Sequence, residues 1–246
     1  MAGKGGTGKT TFAALTIREL VKNGLTPVLA VDADANSNLN EAVGVTVDST
    51  LADAVSRIKN GLEPPPAGMT KDQYAEMRIF DSLIEGEDFD LLVMGGPEGA
   101  GCYCYANNVL RMFVERLTKN YRFLVADNEA GLEHLSRRTT QNVDHLFVVS
   151  DASARGVRSA ARVREVAEAI EVGVKHLYLV ISRAFPGAAE ALAEEIAKTG
   201  LELIGVIPDD HLVTEYDLKG IPLIQLPDDA PSSVAVRGIL KKTGIL

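Results

Sequence analysis

Three groups of residues in this chain have the types and spacing to do chemistry. The first is Gly3-Lys4-Gly5-Gly6-Thr7-Gly8-Lys9-Thr10-Thr11, which fits G-x-x-x-x-G-K-[ST]. In that pattern a glycine-rich backbone curls so that successive N–H groups surround a polyphosphate. Lys9 is spaced to reach the β- and γ-phosphates, and the Thr10 hydroxyl to bind Mg2+. The second group is acidic: Asp32 and Asp34 follow the apolar run 28–31, and Asp127 closes the apolar run 123–126. Carboxylates at the ends of buried strands lie where phosphates and metal ions collect in open α/β sheets. The third is Cys102-Tyr103-Cys104, which holds the only two cysteines of the chain. In an extended segment both thiols of a C-x-C pair point to one face.

The cysteine pair has three readings. Free cysteines pack well in cores without any ligand. A redox disulfide would close a strained, very small ring. A metal site needs more sulfur than one chain supplies, because a structural Zn2+ takes four ligands. A two-fold axis beside the loop would bring Cys102 and Cys104 of each subunit together, a soft shell suited to Zn2+, Ni2+ or Cu(I). The shared metal is the expectation carried forward.

The elements that must position these groups follow from periodicity. Ala13, Ala14, Ile17, Leu20 and Val21 keep helical spacing behind the glycine loop, and Gly24 stands where a helix stop belongs. Apolar runs at 28–31, 89–94, 123–127, 146–149, 177–181, 203–207 and 223–226 predict strands. Helices are predicted after Asn108 (Val109, Met112, Phe113, Leu117), around Val163, Val166, Ala167 and Ile170, around Leu192 and Ile196, and over 231–242. This alternation predicts an α/β fold, a doubly wound, mostly parallel sheet of about seven strands flanked by helices, in one domain over 1–246. Residues 52–87 read as a surface excursion: Pro64-Pro65-Pro66 excludes regular structure locally, and 74–84 fits a helix.

Only Met1 and Ala2 precede the loop, although a phosphate loop normally hangs from a buried strand. One expectation is therefore that the natural protein starts upstream of Met1. The 25 Lys+Arg against 34 Asp+Glu give a net charge of −9, which disfavours non-specific binding to nucleic acid or anionic membrane. With no run of transmembrane length and no charged-then-apolar leader, the expected location is cytoplasmic.

The KGGTGKT form of the loop, with Lys4 inside it, resembles the deviant Walker A ATPases, the family of MinD, ParA and the nitrogenase iron protein. The resemblance implies a homodimer in which Lys4 reaches the nucleotide of the partner, so that Lys4, Lys9 and Asp34 are catalytic. Asp34 and Asn38 match the family pattern D-x-x-x-N of switch I, which implies that Asp34 orients the attacking water. Thr10, Asp34 and Asp127 would hold Mg2+. The segment from Asp127 to His134 resembles switch II, with Gly131 sensing the γ-phosphate. Ser182-Arg183 stands where the family expects Asn-Lys, and the turn Gly205-Val206-Ile207-Pro208-Asp209 is a second family-like base-binding loop. Nucleotide binding is thus expected from Gly3 to Thr11 and at Gly131, Ser182, Arg183, Pro208 and Asp209.

Gly101-Cys102-Tyr103-Cys104, with Asn107 or Asn108 following and Ala130-Gly131-Leu132-Glu133-His134-Leu135 further on, is similar to the CooC/AcsF group. Those ATPases assist nickel insertion into carbon monoxide dehydrogenase or acetyl-CoA synthase. The likeness implies ATP, Mg2+ and Ni2+ (or Zn2+) shared between two subunits, with one of those enzymes as client. Two other jobs known in the superfamily remain: an ATP-dependent positioning switch like ParA or MinD, and an iron–sulfur electron-transfer or carrier ATPase. A MinD-like membrane helix could be sought at Val236, Arg237, Ile239, Leu240, Lys241 and Lys242, although a packed closing helix fits those residues better.

Overall fold

The computed structural model describes residues 1–59, 64–96, 117–128, 142–169 and 173–246. Helix α1 (Lys9–Lys22) runs directly out of the glycine loop. Phe12, Leu15, Ile17 and Leu20 are fully buried, so the helix lies inside the molecule rather than on it. It stops where Gly24 turns left-handed at φ 67, with the Gly24 and Leu25 N–H groups closing on the Val21 and Leu20 carbonyls.

Strand β1 (Val28–Ala33) leads to α2 (Leu39–Val43), α3 (Leu51–Lys59), α4 (Lys71–Phe80), β2 (Leu83–Ile84) and β3 (Phe89–Val93). Then come β4 (Phe123–Asn128), β5 (Asn142–Asp151), α5 (Ala154–Ala169) and β6 (Gly173–Ala184). Helices α6 (Ala188–Ala191) and α7 (Ala193–Thr199), strand β7 (Glu202–Pro208), and helices α8 (His211–Lys219) and α9 (Pro231–Lys242) complete the order. The strands form two hydrogen-bonded sets, β2-β3-β1-β4 and β5-β6-β7, parallel throughout except for the short β2.

Met1 and Ala2 connect the two sets. The Ala2 N–H donates to the Phe147 carbonyl (2.9 Å) and the Val149 N–H to the Ala2 carbonyl (2.8 Å). On the other side the Asn128 N–H and Nδ2 donate to the Met1 carbonyl at 3.3 and 2.9 Å. Met1 and Ala2 therefore bridge β4 to β5 just ahead of the glycine loop.

Both faces of the sheet are covered, as parallel strands require. Phe147 and Val149 on β5 face a core that includes Phe12 and Ile17 of α1 and Val236 and Ile239 of α9. Leu146 and Val148, on the opposite face, pack with Val157, Ala160 and Val163 of α5. The alternation along one strand is what makes the winding double.

The structure corrects several expectations. Residues 223–226 do not pair as a strand; Leu223–Gln225 is a single 3-10 turn. Pro222 and Pro227 bracket it, and the buried Arg18 guanidinium takes the Ile224 and Leu226 carbonyls (3.1 and 2.7 Å) that a ladder would have used. The helix expected over 74–84 begins at Lys71, because Thr70 and Gln73 form a reciprocal capping box, and it ends at Phe80. Residues 83–84 are instead an edge strand. The segment read as a surface excursion also carries α3, which was not foreseen. Leu192 is a junction between two short helices rather than a mid-helix residue, and α2 and α8 were not foreseen. Helix α9 packs its apolar side into the core, and its Arg237 pairs with the buried Glu19 of α1 (2.8 Å).

Candidate functional site

The glycine loop sits on the carboxyl ends of the strands. Gly3 has φ 141, and a Cβ there would stand 2.2 Å from the Val149 carbonyl oxygen, so only glycine lets the chain leave the sheet at this point. The Thr7 hydroxyl donates to the Lys4 carbonyl (2.8 Å), and Lys9 Nζ reaches the same oxygen at 3.3 Å. Lys9 is buried within the loop, whereas the Lys4 side chain is exposed. Gly8, left-handed at φ 83, delivers the chain into α1, whose positive end faces the loop.

Two carboxylates stand side by side beneath the loop, since Asp32 and Asp127 are register partners on β1 and β4. The Thr10 hydroxyl donates to Asp127 Oδ2 at 2.5 Å. Asp127 is 1% exposed, and its Oδ1 is buried with no hydrogen-bond partner among the described residues. Burial raises the Asp127 carboxyl above its ordinary range, opposed by the Thr10 hydroxyl bond. A buried acceptor left open beside a threonine hydroxyl at the mouth of a phosphate loop fits a hard cation held by oxygen. Mg2+ matches that donor set; when bound, it neutralises charge on the phosphates.

Asp32 differs. Fully buried, it accepts from the Asp34 N–H at Oδ1 (3.0 Å) and from the Leu39 N–H at Oδ2 (2.9 Å). Burial pushes its carboxyl up to about 6, those two bonds pulling the other way. The pair of bonds closes the loop 34–38 and starts α2. Asp34 lies on that loop, with Oδ1 accepting from the Asn36 N–H (2.9 Å) and Nδ2 (3.0 Å). Asn38 is exposed at the N-cap of α2.

Ser182 and Arg183 lie just before Ala184, the last residue of β6. Ser182 is 3% exposed and its hydroxyl donates to the Thr7 carbonyl, behind the loop. Exposed Arg183 takes a positive φ of 48. Half-buried Pro208 ends β7 and exposed Asp209 follows it, the Asp209 N–H donating to the Ala184 carbonyl (3.0 Å). Gly131, Cys102 and Cys104, with Glu133 and His134, lie outside the described residues.

Reading the sequence placed Asp32 among the carboxylates at the phosphate end but not in its role, and missed Asp210. Asp32 is a backbone clamp, a role signalled by an acid two residues before a turn. Asp210 accepts from the Leu212 N–H (3.0 Å) and the Ser232 N–H (2.9 Å), so one carboxylate fastens the starts of α8 and α9. An acid just before a helical segment is the N-cap signal that would have found it.

The model of the CobQ/CobB/MinD/ParA nucleotide binding domain matches residues 1–223. An uncharacterised ATP-binding protein of Methanocaldococcus jannaschii is 47% identical over 244 residues, 98% of this chain and 96% of that one. The carbon monoxide dehydrogenase accessory protein CooC of Rhodospirillum rubrum is 28% identical over 238 residues, 92% and 89% of the two chains. Among solved structures, the septum site-determining protein MinD of Pyrococcus horikoshii complexed with Mg-ADP gives a TM-score of 0.70 at 22% identity. That likeness, over 98% of this chain and 93% of the other, shows the α/β fold with its mostly parallel sheet. Among the described residues no helix is long and apolar enough to cross a membrane.

Proposed function

Because this chain belongs to the CobQ/CobB/MinD/ParA nucleotide-binding family, we propose that it is an ATP-hydrolysing homodimer serving nickel insertion into a carbon monoxide dehydrogenase or acetyl-CoA synthase. The observation that carries the hydrolytic part is the Thr10–Asp127 bond, with the second Asp127 oxygen open beneath the phosphate loop. Lys9 neutralises phosphate charge from inside the loop. Exposed Lys4 extends to the partner's nucleotide and adds positive charge as the transferred phosphoryl group gains negative charge. Thr10 and Asp127 hold Mg2+, and Asp34, on the loop that Asp32 closes, aligns the attacking water. Gly131, Arg183, Pro208 and Asp209 complete the nucleotide contacts.

Support for the nickel part comes from the C-x-C pair and the likeness to CooC. Subunit closure around ATP would assemble Cys102 and Cys104 of both chains into one sulfur shell, and hydrolysis would reopen it, so that nucleotide state and metal affinity are coupled. Anaerobic nickel titration with and without ATP, against Cys102→Ser/Cys104→Ser, tests this reading. The wild type should bind about one Ni2+ per dimer and the double variant none, with the fold retained. Equal binding by both would refute it.

A second reading is a positioning switch. The septum site-determining protein MinD of Helicobacter pylori is 25% identical over 252 residues, 98% of this chain and 87% of that one. Strong ATP-dependent co-sedimentation with liposomes or DNA at physiological salt would favour it over nickel handling.

A further inference from the structure

We infer that Ser182 is a positioning residue that sets the phosphate loop from behind by fixing one peptide plane. The inference rests on the nucleotide-binding reading above and assigns Ser182 to the loop rather than to the base. Its hydroxyl has one proton, and the Thr7 carbonyl takes it; the Ser150 carbonyl, at 3.3 Å, is the only other polar contact among the described residues. Buried at the end of β6, the side chain has no water to compete for that proton.

The consequence follows from peptide geometry. Thr7–Gly8 is a trans bond, so its C=O and N–H point in opposite directions. Holding the Thr7 carbonyl down onto Ser182 turns the Gly8 N–H up into the concave side of the loop, where the phosphates sit. Gly8 lies close to this residue: a Cβ added at Gly8 would make ordinary van der Waals contact with it, 3.4 Å from Ser182 Oγ and 3.6 Å from its Cβ. A side chain without a hydroxyl would free the peptide to rotate. Thr7 carries the constraint onward, because its own hydroxyl donates to the Lys4 carbonyl (2.8 Å). The end of β6 thus fixes both the Gly8 amide and the backbone from which Lys4 projects.

The test compares two probes, ATP and inorganic tripolyphosphate, each with Mg2+, on the wild type, Ser182→Ala and Ser182→Thr. Ser182→Ala should weaken both probes by the same factor, about tenfold for one buried hydrogen bond. Ser182→Thr, which keeps the hydroxyl, should recover most of the loss. The melting temperature without ligand controls for folding, and Ser182→Cys, with similar volume and a weak donor, replaces Ser182→Ala if that variant does not fold. Loss confined to ATP would mean that Ser182 meets the base and would overturn the inference. So would unchanged affinity for both probes in Ser182→Ala. A wild type that binds neither probe would instead refute the nucleotide-binding reading itself.

Discussion

Asp32 and Asp127 are the same residue type at the same level of neighbouring strands, both buried, both with carboxyls raised by burial. They differ only in what their oxygens meet. Each Asp32 oxygen takes a backbone N–H, from Asp34 and Leu39. Asp127 has the Thr10 hydroxyl on one oxygen and no partner among the described residues on the other. One carboxylate is consumed by the fold; the other keeps an oxygen open, as the proposed Mg2+ site requires. Burial and position alone do not separate a structural acid from a functional one; the count of satisfied lone pairs does.

Substitutions should separate them in opposite senses. Asp127→Asn should lower kcat for ATP hydrolysis by on the order of a hundredfold or more, since metal-ion charge stabilisation contributes several kcal/mol. Its melting temperature should fall less than that of Asp32→Ala, because the amide keeps an oxygen for the Thr10 hydroxyl and loses only the attraction of the Met1 ammonium and Lys9. Phosphate release and calorimetry on one preparation would show both. Asp32→Ala should cost more stability: it strands the buried Leu39 N–H and the half-buried Asp34 N–H and should cost about 2–3 kcal/mol in urea unfolding, with a smaller loss of kcat than Asp127→Asn. Parallel losses in the two variants would erase the distinction.

pH sharpens the same pair. A carboxyl near 6 in the folded chain and at the ordinary value of 3.8 when unfolded binds protons more readily when folded. Its contribution to stability is therefore full below about pH 4 and is lost as pH rises through about 6. Without Mg2+, wild-type stability should fall across that window, and Asp32→Asn should flatten the fall; Asp127 and Asp217, also raised by burial, contribute to what slope remains. An unchanged slope in the variant would contradict the assignment. The smallest effect belongs to Asp210, whose oxygens meet the Leu212 and Ser232 N–H groups. Asp210→Ala removes two caps and should cost about 1–2 kcal/mol in urea unfolding, with a smaller loss of kcat than Asp32→Ala.

The sequence made the winding and the phosphate loop legible because both are written locally. The loop is one contiguous motif, and residues 231–242 show helical spacing that the structure reproduces as α9. What stayed hidden depends on contacts distant in the chain. Residues 223–226 look like a strand until Arg18, some two hundred positions earlier, claims their carbonyls. Ser182 reads as a departure from a base-binding pattern until its hydroxyl is seen on Thr7. Asp32 and Asp34 are indistinguishable as letters; only the N–H groups that close on Asp32 make it the clamp and leave Asp34 on the loop that it closes.

The open Asp127 oxygen is the feature on which the hydrolytic assignment turns, and a Mg2+ titration of phosphate release reaches it most directly. At fixed ATP, the Mg2+ concentration giving half-maximal rate should move up by about tenfold or more in Asp127→Asn, in line with the loss expected on removing a group that orients a bound metal. Superimposable titrations for wild type and variant would mean that this carboxylate holds no metal.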